Sequence, residues 1–235
     1  MRTPGIFIAG TDTGVGKTVV TGLLSRYLSE KGFSVITQKW VQTGSDGRAD
    51  DIHSHIKTQG KRGSFYGQYS DLVVPYSFRS PVSPHLAAAC ENKNISSGKI
   101  KKSFSALAGN FDMVVVEGTG GVLVPINSRE LMVDVVRDLE IDMLLVVGNR
   151  VGAINHALLT VEAVKSRGIN VIGLVFNRHI SGENEEALVD NRIVISGFSG
   201  VPDMGEIGHA GSDEDRYVNF CGIAERILDH MSLKK

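Results

Sequence analysis

The run Gly10-Thr11-Asp12-Thr13-Gly14-Val15-Gly16-Lys17-Thr18 holds the residue types that bind a polyphosphate. Small residues let consecutive backbone N–H groups turn into one concavity, where they act as partial positive charges toward an anion. In such a loop Lys17 reaches the terminal phosphates and the Thr18 hydroxyl holds Mg2+. Gly14, Val15, Gly16 and Val19 complete the cradle. The glycine spacing is irregular. A regular loop of this type has glycine five positions before Gly16, where this chain has Thr11, and Gly10 stands one place earlier. The plainer alternative is a glycine turn joining a strand to a helix, but the flanking pattern favours the phosphate loop.

Such a loop needs a strand before it and a helix after it. Ile6–Ala9 is a short apolar run, and Val19, Val20, Leu23, Leu24, Tyr27 and Leu28 follow one helix face until Gly32. Further runs at Val35–Thr37, Met113–Val116, Met143–Val147 and Val171–Phe176 read as strands buried on both faces, as parallel sheets require. Ala153 to Val164 repeats the helical spacing before Gly168, and Tyr217 to Met231 reads as a last amphipathic helix. Strands alternating with helices predict an α/β fold with a doubly wound parallel sheet, in one domain over residues 1–235. Lys61 to Pro84 is less regular and reads as a loop-rich excursion.

Ligands of such sheets bind beyond the carboxyl ends of the strands. Charged residues fall there. Glu117 follows Met113-Val114-Val115-Val116 and is placed to bind Mg2+ directly or through water. Asp50 and Asp51 follow the second strand; one of them would complete the metal shell, or the pair caps a helix. Lys39 ends that strand, either as an amine that neutralises a carboxylate or phosphoryl group, or as a surface lysine lying along the protein. Asn177 matches the N6/N7 edge of adenine and equally suits a turn. The histidines have no metal-ligand spacing, and His85 and His156 read as helix-start or packing residues.

Composition excludes other classes. The 235 residues carry a net charge of −1, which offers nothing to nucleic acid, and Lys99, Lys101 and Lys102 read as a solvated helix face. Two distant cysteines, Cys90 and Cys221, suit a reduced cytoplasmic setting. The chain enters a strand almost at once, without the apolar core of a signal peptide, and its apolar runs are too short to span a bilayer.

Together these segments resemble the dethiobiotin synthase family. The family's Gly-Thr-Asp-Thr-x-Val-Gly-Lys-Thr loop is matched by Gly10 to Thr18, irregular glycine included. Its Lys-Pro-Val-x-(Ser/Thr)-Gly segment is matched by Lys39 to Gly44, and its Glu-Gly-Ala-Gly-Gly segment by Glu117 to Gly121. Pro75 to Phe78, Ser83 to His85, Gly152 to Ala157 and Gly205 to Ile207 extend the likeness in collinear order. Trp40 stands in place of a proline, Thr119 in place of an alanine and Gly208 in place of a proline, and Leu188 to Gly200 has no counterpart.

The resemblance implies ATP-dependent closure of a ureido ring on 7,8-diaminopelargonate with CO2, through a carbamate and a carbamic-phosphoric anhydride. It implies Lys17 and Lys39 as the catalytic cations and Thr18, Asp51 and Glu117 as Mg2+ ligands. Gly118, Gly120, Asn177, Arg178 and Gly208 would join the phosphate loop in holding ATP. Thr13, Thr43, Gly120 and Asn155 would hold the diamine, with Asn155 reaching across a homodimer at a helix N-terminus.

Two other classes share features of this chain. A partition or septum-placement ATPase carries a signature lysine five positions before the loop lysine; that position is Asp12 here. An amidoligase of the cobyrinate type brings a glutaminase domain with a nucleophilic cysteine, and neither cysteine here has such a setting.

Overall fold

Every position of the central strands is buried, so both faces of the sheet need a cover of helices. The computed structural model describes residues 4–45, 50–61, 63–178 and 184–231, residue 64 in its backbone alone. In chain order the elements begin with β1 (Gly5–Gly10), α1 (Lys17–Glu30), β2 (Val35–Lys39), β3 (Val41–Gln42) and α2 (Asp50–Gln59). Next come α3 (Gly63–Gly67), α4 (Ser70–Val73), β4 (Tyr76–Ser77), α5 (Pro84–Cys90) and α6 (Ser97–Ala108). Then follow β5 (Met113–Glu117), α7 (Met132–Asp138), β6 (Asp142–Gly148), α8 (Ala153–Lys165) and β7 (Val171–Asn177), and α9 (Glu185–Ser199), β8 (Asp203–Ile207) and α10 (Asp213–His230) end the described chain.

Six strands form one parallel sheet in the order β2-β5-β1-β6-β7-β8, the doubly wound arrangement expected from the sequence. Alternate side chains feed two cores. Phe7, Val114, Val116, Leu145 and Phe176 pack on one side with Phe104, Val136 and Ala157. Ile6, Ile8, Val115, Leu144 and Val175 pack on the other with Leu24, Phe220 and Ile227 from α1 and α10.

The strands expected from apolar runs are present and one or two residues longer than those runs. The excursion after residue 60 holds two short helices and a two-residue strand paired only with β3; residue 62, within it, lies outside the described residues. Strand β8 and helix α9 are among the elements not foreseen. β8 is an edge strand reading Asp203-Met-Gly-Glu-Ile, with polar residues at partly exposed positions, so it lacks a continuous apolar run. Leu188 to Gly200, for which the resemblance offered no matching motif, falls on helix α9 and its Gly200 cap. The Asn184 side chain accepts from the Glu186 and Ala187 amides at its start, and Gly200 ends it in the left-handed region (φ 63°).

Candidate active site

The carboxyl ends of β1, β2 and β5 lie side by side, with Ile8 in register with Glu117 and Glu117 in register with Lys39. The register alone therefore brings the loop after β1 beside a lysine and a glutamate. A cleft of about 390 Å³ opens there. Of the residues singled out in the sequence, Thr13, Gly14, Gly16, Lys17, Thr18, Val19, Lys39, Thr43, Asp51, Glu117 and Gly120 line it. Gln42 and Thr119 line it too.

Gly16 caps α1 with φ 101°, and a Cβ there would stand 2.2 Å from Asn177 Nδ2. Both the backbone conformation and the close approach demand glycine. Asn177 Nδ2 donates to the Val15 carbonyl at 2.9 Å, so β7 holds the loop from behind. Lys17 Nζ donates to the Asp12 carbonyl at 2.8 Å, inside the loop itself. Burial, reinforced by the neighbouring Lys39 charge, pulls the Lys17 ammonium down to about 8. The Asp12 carboxylate pairs with Arg150 Nη2 at 3.2 Å, so at this signature position the side chain faces its own chain.

Lys39 is buried rather than spread along the surface. Its ammonium lies 2.7 Å from Glu117 Oε1 and 2.8 Å from Asp51 Oδ2, and it donates to the Gly118 carbonyl at 3.0 Å. Burial works against the charged amine, but the two carboxylates override it and raise its affinity for the proton. For Glu117, burial favours the neutral acid; Lys39 and His55 outweigh it and hold the carboxyl down at about 2. The Thr18 hydroxyl stands 3.0 Å from Glu117 Oε1 and 3.4 Å from Asp51 Oδ1. A hydroxyl and two carboxylates are hard oxygen donors, the set that suits Mg2+. Among the described residues no cluster of three or more His, Cys, Asp or Glu is placed to hold a metal ion.

His55 escaped the sequence reading. It is fully buried on α2, one turn after Asp51, with Nε2 2.7 Å from Glu117 Oε2. The signal lay in the Asp51/His55 pair, four residues apart on one helix face. Trp40, in the place of the family proline, is fully buried against Phe7 with ring centroids 5.0 Å apart; its Nε1 donates to Gln38 Oε1 at 2.9 Å, and Gln38 Nε2 donates to the Leu72 carbonyl at 2.8 Å. Thr119 donates from its hydroxyl to the Val41 carbonyl and ties the loop after β5 to β3.

The remaining expected residues do not line this cleft. Gly118 lies behind it, its carbonyl engaged by Lys39. Arg178 pairs with Glu206 at 2.9 Å and with Glu185 at 2.5 Å. Gly208 follows β8, and Asn155 is exposed in the first turn of α8. His85 is exposed in the first turn of α5, and His156 is exposed on α8.

A parallel sheet that presents a glycine loop, two buried ammonium groups and hard oxygen donors at one edge is a P-loop nucleotide-binding fold. A model of the AAA domain family matches residues 4–211. The chain is 44% identical to an ATP-dependent dethiobiotin synthetase of Chlorobaculum tepidum over 192 residues, which cover 80% of this chain and 78% of that protein. It is 36% identical to one of Akkermansia muciniphila over 94% of this chain and 97% of that protein. Among solved structures, a plasmid partition protein from Borrelia burgdorferi matches with TM-score 0.62 at 15% identity, covering 97% of this chain and 99% of that one. A ParA family ATPase from Chlorobium tepidum matches with TM-score 0.58 at 13% identity, covering 99% and 100%. These two share the fold alone. The chain belongs to the ATP-dependent dethiobiotin synthetase family, and is an enzyme.

Proposed function

We propose that this enzyme makes dethiobiotin for biotin biosynthesis, closing the ureido ring of 7,8-diaminopelargonate with CO2 and ATP in the cleft above β1, β2 and β5. The observation that carries the reading is the convergence of Lys17, Lys39, Thr18, Asp51 and Glu117 on one cleft that Thr13 and Thr43 also line.

One substrate amine takes up CO2 and releases a proton, giving a carbamate. The carbamate oxygen attacks the γ-phosphorus of ATP and ADP leaves, forming the mixed anhydride. The second amine then attacks the carbonyl carbon, expels phosphate and loses its proton. Carbamate and γ-phosphate are both anions, and fixed ammonium groups offset their repulsion. Lys17 leaves the Asp12 carbonyl to meet the terminal phosphates. Lys39, held between Asp51 and Glu117, faces the carbamate and the transferring phosphoryl group. Thr13 and Thr43 orient the diamine by hydrogen bonds. Ring closure is intramolecular, so positioning supplies a large share of the rate. Thr18, Asp51 and Glu117 would hold Mg2+, which supplies charge neutralisation for the phosphates when bound.

Asn177, with Arg178 and Gly208 nearby in the loops after β7 and β8, forms the adenine side. Asn155 and the start of α8, which has no side-chain cap, beside the exposed Val151, reach the carboxylate of a substrate held by a second copy in a homodimer. No helix among the described residues is long and apolar enough to cross a membrane.

The test is a product assay with the diamine, bicarbonate, Mg2+ and each nucleoside triphosphate in turn. Dethiobiotin, ADP and phosphate in equal amounts are expected. A folded sample that makes no dethiobiotin with any nucleotide overturns the reading and favours the partition-type ATPase.

A further inference from the structure

The two oxygens of Glu117 have different partners. Oε1 accepts from Lys39 Nζ at 2.7 Å and from the Thr18 hydroxyl at 3.0 Å, on the cleft side. Oε2 meets His55 Nε2 at 2.7 Å on the buried side. The terminal torsion of a glutamate is broad, so nothing intrinsic to the side chain fixes the plane of its carboxylate. An ionised carboxylate accepts only, so Nε2 carries the hydrogen. His55 Nδ1 has no partner among the described residues. A bare ring nitrogen tolerates that better than an orphaned N–H, which agrees with the hydrogen being on Nε2.

We propose that His55 is a positioning residue: it pins Oε2 of Glu117 so that Oε1 stays aimed at Thr18 and Lys39, where the metal would be held. Helix α2 thus sends two groups one turn apart to the same place, Asp51 into the cleft and His55 behind its glutamate. A histidine that merely filled space there would not need its nitrogen 2.7 Å from a buried carboxylate. Outer partners that orient a ligating carboxylate typically change metal affinity by about 10–100-fold when removed. The proposal rests on the Mg2+-ATP reading given above.

Three variants separate orientation from packing: His55→Gln, His55→Asn and His55→Leu. A glutamine amide nitrogen reaches the position of Nε2, an asparagine nitrogen falls near Nδ1, and leucine offers neither. Calorimetry gives ATP affinity with Mg2+ and with EDTA, alongside kcat and KM. In His55→Leu the gain in ATP affinity conferred by Mg2+ should fall about tenfold or more while affinity in EDTA holds within about twofold. His55→Gln should recover most of the gain and His55→Asn should not. Should the leucine variant fail to fold, the Gln/Asn contrast decides alone. The proposal is overturned if Mg2+ aids His55→Leu as it does the wild type, or if the glutamine variant does no better than asparagine. A wild type whose ATP affinity ignores Mg2+ overturns the metal assignment and the proposal together, whereas normal enhancement retained in the leucine variant overturns the proposal alone.

Discussion

The two halves of the sheet's carboxyl edge treat charge in opposite ways. Over β1, β2 and β5, Lys17, Lys39, Asp51 and Glu117 converge on open space. Over β6, β7 and β8, polar groups satisfy one another. Asn149 donates to the Leu188 carbonyl and to Glu206, Asn191 donates to Asn149, and Arg178 joins Glu206 to Glu185. The first half keeps two buried cations close together: Asp51 and Glu117 offset the burial of Lys39, while Lys17 stays below its ordinary range. The second half is a set of braces that keeps α9 and the phosphate loop in register. A strong charge is therefore informative about chemistry here when its partners are themselves at an open cleft, and about architecture when they are not.

The sharpest way to break this contrast is Glu117→Ala. It strands Lys39 and His55 without their buried partner, so unfolding stability in urea should drop by about 3–5 kcal/mol, and the Mg2+ requirement should rise steeply. An unchanged metal titration would remove Glu117 from the site. Next come the lysines. Lys17→Ala should cut ring closure by about 10²–10³-fold with the fold intact by circular dichroism, and Lys39→Ala should lower kcat by about 10²-fold while ATP affinity moves by only a few-fold. Equal, modest losses of both quantities in Lys39→Ala would reduce it to a general electrostatic role.

Acid supplies a third measurement. The Glu117 carboxyl sits at about 2 in the folded chain against an ordinary 4.5. The unfolded chain therefore takes up a proton first as pH falls, so the contribution is whole above 4.5 and drains away toward 2. Wild type should lose on the order of 2 kcal/mol more than Glu117→Gln across that window, read from urea midpoints. The smallest effect tests the bracing half: Asn177→Ala should cost about 1–2 kcal/mol by leaving the Val15 carbonyl unpaired. It should also relax the preference for ATP over other triphosphates, measured by competition. A variant with unaltered stability would show that the 2.9 Å contact does not hold the loop.

The parallel sheet was legible because fully buried strands must be continuously apolar, and Ile6–Ala9, Met113–Val116 and Met143–Val147 are. Strand β8 was not, because an edge strand bears polar residues on its open side. The phosphate loop, Lys39 and Glu117 were legible because each sits at a strand end, so their meeting follows from register. Whether Lys39 was buried could not be read from its position; the two carboxylates that make burial tolerable come from elements 12 and 78 residues onward, Asp51 and Glu117. His55 was missed for a related reason. A polar residue on the inner face of a helix resembles a sequence irregularity until the strand that supplies its acceptor is known.

Trp40 has a practical consequence. It is the chain's one tryptophan, next to Lys39 and entirely shielded from solvent. Its emission comes from a single rigid indole anchored through Gln38. Any shift in that strand end as ligands arrive should register as a change in fluorescence intensity, giving stopped-flow traces of the individual steps without a dye or an added reporter.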